Sequence, residues 1–266
     1  MADSILKIKD LCVDYITEEV VIKALDSVDL EIGHSEILGV VGESGSGKST
    51  LGLSVMGILP EEGRISRGSI ILEEENLVQL SASRYRRLRG SQISMIFQEP
   101  MDALNPVYTV GYQIKEASRQ LGMDSKREDI LELLHMVNMS DPERVISDYP
   151  HQLSAGMRQR AMIAMSLCGK PKLLIADEPT SSLDVTVQIL ILDLLLELKD
   201  KMHLSILFIS HDLSLIEHIA DRVAILYKGK IQEVGSKEDI LYSPGAEYTR
   251  ELIGSMDFLN KVKNES

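Results

Sequence analysis

Short apolar runs closed by small or charged residues punctuate the chain. EILGVV (36–41) leads straight into GESGSGKST, LLIAD (173–177) into Glu178, and SILFIS (205–210) into His211. Runs of this length between breakers predict strands buried on both faces, as in a parallel sheet. Helical spacing fills the intervals. Lys48–Ile58 can form a helix despite two glycines, and DLSLIEHIA (212–220) reads as another. In KREDILELLHMVNM (126–139), Ile130, Leu133, Leu134 and Val137 fall on one helical face, which predicts core packing for that apolar, Met-bearing stripe. Residues 5–35 predict an antiparallel β region, strand signals vanish between Gln98 and Pro150, and residues 236–255 predict a short helical tail. The expected organisation is α/β: a core over 5–98 and 151–235, a helical subdomain inserted at 99–150, and a tail over 236–266.

Composition narrows the class. A length of 266 residues suits one domain with an insertion, and 44% apolar with 26% charged residues excludes a disordered chain or a coiled-coil rod. No run of about 18 uncharged apolar residues is present, so no membrane-spanning helix is expected. Charges at Asp3, Lys7, Lys9 and Asp10 interrupt the apolar core that a signal peptide would need. Cys12 and Cys168, with no CxxC spacing, offer neither a zinc site nor a disulfide framework. The net charge of −13 argues against a nucleic-acid surface. The one basic cluster, Arg84–Arg89, reads as a solvated helix face or a protein contact.

The chemistry starts at Gly42. Gly42–Ser49 fits GxxxxGK[ST], a phosphate loop. Glycines at 42, 45 and 47 allow the backbone N–H groups of Glu43, Ser44, Ser46 and their neighbours to turn inward around a β-phosphate, at a helix N-terminus. Lys48 adds a point charge at the β and γ phosphates, the Ser49 hydroxyl can ligate Mg²⁺, and Thr50 continues the nucleotide-binding turn. LLIADE looks like a Walker B strand. Ligand-facing residues lie at the carboxyl ends of parallel strands, so Asp177 is expected near the Mg²⁺ shell, directly or through water. Glu178, one residue on, is the expected general base for an attacking water. His211, at the end of the SILFIS strand, can hydrogen-bond a γ-phosphate and position that water. The α/β class therefore sharpens to a P-loop NTPase, RecA-like core with the antiparallel β region ahead of it and the helical insertion within it.

Between the two Walker motifs the sequence resembles ABC ATPases. Leu153–Met157 reads LSAGM, similar to the LSGGQ signature and placed just ahead of Walker B. Gln98, at the end of the strand ISMIF, resembles the Q-loop residue, SSLD (181–184) the D-loop, His211 the H-loop, and Tyr15 an adenine-stacking A-loop residue. The stretches RRLRGSQISMIFQEPMDALNPVYTVGYQI, YPHQLSAGMRQRAMIAMSL and ADEPTSSLDVTVQILILDLL resemble the D-type ATPase subunit of oligopeptide, dipeptide and nickel importers. The tail LYSPGAEYTRELIGSM resembles that subfamily's (I/L)(F/Y)xxPxHPYTxxLLxS, with Gly245-Ala246-Glu247 departing from it. A second departure is Ala155, where the family has glycine. If that residue needs positive φ, the Cβ costs about 1–2 kcal/mol, and otherwise the change is silent. Longer relatives carry a cysteine-bearing extension for an iron–sulfur cluster. No cysteine follows Cys168 here, so none is expected.

The resemblance implies an ATPase that binds ATP and Mg²⁺ and energises a membrane importer of peptides, or alternatively of nickel or metal chelates. Gln98 and Lys48 join Glu178 and His211 as implied catalytic residues, with Gln98 also a metal ligand. Ser154, the Gly156 backbone and Asp184 are implied to meet nucleotide across a dimer. The partners implied are a second ATPase subunit (an F-type heterodimer preferred, a homodimer as alternative), two permease subunits, and a solute-binding protein reached through them. Nucleic acid is not among them. The site of action would be the cytoplasmic face of a prokaryotic cell membrane. A soluble ABC ATPase acting on DNA or ribosomes is disfavoured, because neither long heptad segments nor a second ATPase domain is present.

Overall fold

A computed structural model describes residues 4–97 and 104–264, with side chains through residue 255. It divides into two compact units, Met1–Gln79 with Leu207–Ser266, and Leu80–Ile206.

In the first unit, β1 (Ser4–Ile16) and β2 (Val21–Gly33) form a long antiparallel hairpin, followed by β3 (Ile37–Val41). β4 (Gly63–Leu72) and β5 (Glu75–Asn76) extend the hairpin into a sheet ordered β2-β1-β4-β5. The antiparallel region thus runs beyond the expected residues 5–35. β4 buries Ile70 and Leu72 on alternate positions at its end, while Ser66, Arg67 and Gly68 are exposed in succession, so period-two alternation holds over only part of the strand.

All five residues of β3 are buried, in keeping with its unbroken apolar run. The chain leaves it as the phosphate loop and enters the helix Lys48–Met56. Asp221 fixes where β3 begins. Its carboxylate accepts the Ile37 N–H at 2.8 Å, and its own N–H donates to the Ile37 carbonyl at 2.9 Å.

The second unit holds β6 (Ile93–Ile96) and β7 (Leu173–Asp177), a parallel pair in register from Ile93↔Leu173 to Ile96↔Ala176. Between them lie helices Val110–Gln120, Arg127–Met136 and Ala155–Leu167, and no strand occurs among described residues 104–150. In Arg127–Met136 the expected stripe faces inward, with Ile130, Leu134 and the C-capping Val137 buried and Leu133 half-buried. The Val137 carbonyl accepts from Arg160 at 2.7 Å, so the signature helix satisfies an end of this one. The basic cluster falls on the helix Ala82–Leu88, where Arg84, Arg86 and Arg87 are exposed and Tyr85 and Leu88 turn inward.

β8 (Ser205–Ser210) crosses the boundary between the units. Beyond it, within the first unit, come the helix Leu213–Ile219, β9 (Arg222–Tyr227) and β10 (Lys230–Ser236). β9 runs parallel to β3 and antiparallel to β10. The tail forms helices Lys237–Tyr242 and Glu247–Asn264.

Asp221→Ala leaves the Ile37 N–H, at the root of the strand that feeds the phosphate loop, without its carboxylate. We expect a loss of about 1–2 kcal/mol in urea unfolding, largely recovered by Asp221→Asn.

Candidate functional site

The phosphate loop is closed by backbone crowding. Gly42 is buried, and a Cβ there would lie 2.0 Å from the Leu226 carbonyl oxygen and 2.7 Å from Ser46 Oγ. Gly47, the N-cap of Lys48–Met56, stands at φ 109°, where an L side chain is strained, and its Cβ would meet the Ala24 carbonyl at 2.6 Å. These are the conformations that the GxxxxGK spacing predicts. Leu51 N–H donates to the Gly47 carbonyl at 2.9 Å, starting the helix, and no acidic residue occupies its first turn.

Lys48 is 6% exposed, and its amine donates to the carbonyls of Gly42 (2.8 Å) and Glu43 (2.9 Å), which anchors the cation inside the loop. Ser46 is 4% exposed and its hydroxyl meets no hydrogen-bond partner. A buried orphan hydroxyl within a turn that ends on a helix N-terminus fits an anionic ligand bearing acceptor oxygens, as a nucleotide phosphate does. Glu43, Ser44, Gly45 and Ser49 are exposed. Tyr15 lies on β1 opposite Gly63, and its hydroxyl is 3.3 Å from Thr50 Oγ1 in the first turn of the helix. His211 follows β8 directly and is exposed, while the next residue, Asp212, caps the helix Leu213–Ile219 through Ser214 N–H at 2.8 Å.

In the second unit, Asp177 ends β7 and is buried, and Glu178 follows it half-buried. Glu178 has φ 46°, in the left-handed region. For a glutamate this costs of order 1 kcal/mol or more, a strain typical of functional positions. The conformation is held from Ser181, whose N–H and hydroxyl both donate to the Glu178 carbonyl, at 3.3 and 3.2 Å. No local sequence pattern announces this twist. Ser49 and Asp177 carry hard oxygen donors of the kind Mg²⁺ takes. Gln98 lies outside the described residues.

The signature forms the N-terminus of Ala155–Leu167. Ser154 is its N-cap at φ −64°, and its hydroxyl accepts the Met157 N–H at 3.3 Å. Ala155 is the first helical residue and is absent from the left-handed region, so its Cβ carries no backbone penalty. The constraint falls instead on Gly156, where a Cβ would lie 2.7 Å from Val187 Cγ1. Val187 belongs to the helix Val185–Met202, whose N-cap is Asp184, accepting the Val187 N–H at 3.1 Å. Signature and D-loop are therefore packed through one valine. Gln159, one turn further, is fully buried with both amide atoms unpartnered.

A glycine-closed phosphate loop, a strand ending in Asp-Glu, and a serine-capped signature helix define the class as a P-loop ATPase of the ATP-binding-cassette kind. A family model described as ABC transporter matches residues 25–181, and the chain belongs to that family. Dipeptide transport ATP-binding protein DppD of Haemophilus influenzae is 46% identical over 256 residues, 95% of this chain and 78% of its own length. Oligopeptide transport ATP-binding protein OppD of Bacillus subtilis is 42% identical over 265 residues, 98% of this chain and 74% of its own. Among solved structures, the dimeric cassette MJ0796 in a post-hydrolysis state with ADP and Pi is 25% identical. It superposes at TM-score 0.75, covering 87% of this chain and 98% of its own. The fold is shared with cbiO1 of Clostridium perfringens, part of the ABC transporter complex cbiONQ, at TM-score 0.77 and 24% identity over 97% of this chain and 99% of that one.

The packing at Gly156 separates the two small signature residues. Gly156→Ala is expected to destabilise the protein by about 1–3 kcal/mol in thermal or urea unfolding, with Val187→Ala restoring part of the loss. Ala155→Gly should cost no more than about 1 kcal/mol, the helix-propensity difference, and should not reduce ATP hydrolysis.

Proposed function

We propose that this chain is the ATP-hydrolysing subunit that energises a membrane importer of di- and oligopeptides. The observation that carries the reading is the pairing of a sterically closed phosphate loop with 46% and 42% identity, over nearly the whole chain, to dipeptide and oligopeptide transport ATP-binding proteins.

In this reading the loop amides from Glu43 to Thr50 and the Lys48 amine bind the β and γ phosphates. The Tyr15 ring stacks on adenine. Ser49, Asp177 and Gln98 would hold Mg²⁺, which supplies charge neutralisation at the phosphates. Glu178 accepts a proton from the attacking water as its oxygen bonds to the γ-phosphorus; the bond to the bridging oxygen breaks and ADP leaves. His211 and Gln98 position that water.

Ser154 and the Gly156 N–H, at a helix N-terminus with no acid in its first turn, are suited to a γ-phosphate held by a second ATPase subunit. Asp184 stands at the start of the neighbouring helix, positioned for the same dimer face. We favour an F-type subunit as the partner over a second copy. ATP favouring the closed dimer over the open one then makes binding drive closure, and hydrolysis reverses it.

An apolar surface in the second unit supports docking of two permease subunits, through which a solute-binding protein would deliver the peptide. Val107 is 69% exposed, and Tyr108 and Tyr112 stack in the open with ring centroids 4.6 Å apart. Val110 N–H donates to the Asp148 carbonyl at 2.9 Å, which ties this helix start to the segment that precedes the exposed Tyr149. No helix among the described residues is long and apolar enough to cross a membrane. Peripheral attachment at the cytoplasmic face of the cell membrane follows from docking of this kind.

Deleting the gene should abolish uptake of a labelled di- or tripeptide, and the wild-type chain but not Glu178→Gln should restore it. Peptide uptake unchanged by the deletion, with nickel uptake lost, would overturn the solute class. Purified Glu178→Gln should bind ATP within about twofold of wild type and hydrolyse it at least about 100-fold more slowly. Lys48→Ala should lose nucleotide affinity in the same titration.

A further inference from the structure

Glu178 keeps its left-handed conformation against its own sequence. Pro179 follows it, and a residue ahead of proline is steered to extended backbone, so φ 46° is opposed by the glutamate's own Cβ and by the next ring. Two backbone turns carry the chain on from there. Ser181 N–H and hydroxyl donate to the Glu178 carbonyl at 3.3 and 3.2 Å, and Leu183 N–H donates to the Thr180 carbonyl at 3.1 Å. These bonds are long, and Ser181 and Ser182 between them are exposed.

The shorter bond to this segment comes from outside it. Gln188 Nε2 donates to the Thr180 carbonyl at 2.9 Å, and Thr180 is 1% exposed. A carbonyl oxygen only accepts, which sets the orientation of the amide. Gln188 is itself fixed near the start of the helix Val185–Met202. Its N–H donates to the carbonyl of the N-cap Asp184 at 2.9 Å, and its neighbour Val187 is the residue that packs on Gly156 of the signature helix. Val187 and Gln188 are half-buried, whereas residues 184–186, Ile189 and Leu190 are exposed. The two inward residues of this turn therefore meet different partners, one the signature helix and the other the segment that follows Glu178.

We propose that Gln188 is a positioning residue for Glu178: its amide pins the Thr180 carbonyl, which fixes the turn over residues 178–181 and so keeps the Glu178 carboxylate directed at the water it activates. The proposal rests on the reading of Glu178 as the base in ATP hydrolysis. Gln188 acts through the Thr180 backbone, so it governs the rate of the chemical step and leaves nucleotide affinity alone.

Gln188→Met keeps the length and helix preference of the side chain and removes the donor. The Thr180 carbonyl retains the Leu183 N–H, so Tm should change little. In steady-state hydrolysis by the assembled ATPase, kcat should fall about tenfold, while Kd for ATP in calorimetric titration of the full chain stays within about twofold of wild type. In a Glu178→Gln background the same substitution should produce no further fall, since no base remains to be directed. The proposal is overturned if Gln188→Met hydrolyses ATP at the wild-type rate. It is equally overturned if the same factor is lost beside Glu178→Gln, which would place the effect elsewhere. Should Gln188→Met fail to fold, Gln188→Glu, of the same shape and unable to donate when ionised, decides: a lower rate at unchanged ATP affinity supports the proposal, and wild-type turnover overturns it. Failure of both variants to fold would make Gln188 a structural support and overturn it as well. A Glu178→Gln chain that hydrolyses ATP like wild type would instead remove the reading of Glu178 on which the proposal stands.

Discussion

The closeness of three backbone segments sets the phosphate site. Carbonyl oxygens of Ala24 and Leu226 lie where side chains of Gly47 and Gly42 would have to be, and Gly229 meets the same Ala24 carbonyl. Two hydrogen bonds lock this arrangement, Gly229 N–H to the Ser46 carbonyl at 2.9 Å and Asp26 N–H to the Gly229 carbonyl at 2.8 Å. The Asp26 carboxylate also pairs with Lys230 at 3.1 Å and Lys23 at 3.3 Å, and those partners keep its pKa low. Since these ion pairs are largely exposed, they contribute little to stability. The steric fit and the two backbone bonds hold the loop, and they fix where its amides point before a ligand arrives. A loop arranged in advance loses less conformational freedom on binding than one ordered by its ligand.

The acid end is built on the opposite principle. Around Gly42 the backbone is crowded but unstrained for glycine, whereas Glu178 is a bulky residue held at φ 46°. That twist is supported by Ser181 on one side and the buried β7 on the other. Relaxing Glu178 to an ordinary conformation would redirect its carboxylate at the end of the strand. Local strain of this kind is tolerable because β7, with all five residues buried, fixes Asp177, the residue from which Glu178 departs.

Legibility followed the physics of each feature. The phosphate loop could be read from the sequence because only glycine satisfies its backbone, so a conformational requirement became a residue pattern. Buried strands were legible in the same way, since β3, β7 and β8 are buried throughout and are built on the apolar runs ILGVV, LLIA and ILFI. Ala155 shows the converse. The family's glycine left open whether positive φ is needed there; the residue is ordinary helix, and the crowding sits one position later, against a valine 31 residues away in sequence. A tertiary approach of that kind leaves no mark on either segment. The same holds for Tyr248, whose motif was plain but whose stacking partner, Tyr227, lies outside it, and for the left-handed φ of Glu178. The β region extended past residue 35 because β4 alternates too weakly, with three exposed residues in succession, to be told from a loop.

Charge places the final constraint on the site. A chain of net charge −13 repels a nucleotide, and at physiological salt that repulsion is screened beyond about 8 Å. Binding is therefore decided by what lies within a few ångströms of the phosphates. The chain meets this by local exclusion: the helices that follow the phosphate loop and the signature both lack an acid in their first turn, and Lys48 is drawn into the loop by its own carbonyls. Glu43 is the one acid in the loop, and it is exposed. The acidic balance of the whole and the cationic character of the loop are compatible because the loop's cation is fixed in place by its own carbonyls and acts at close range, where screening by salt is weakest.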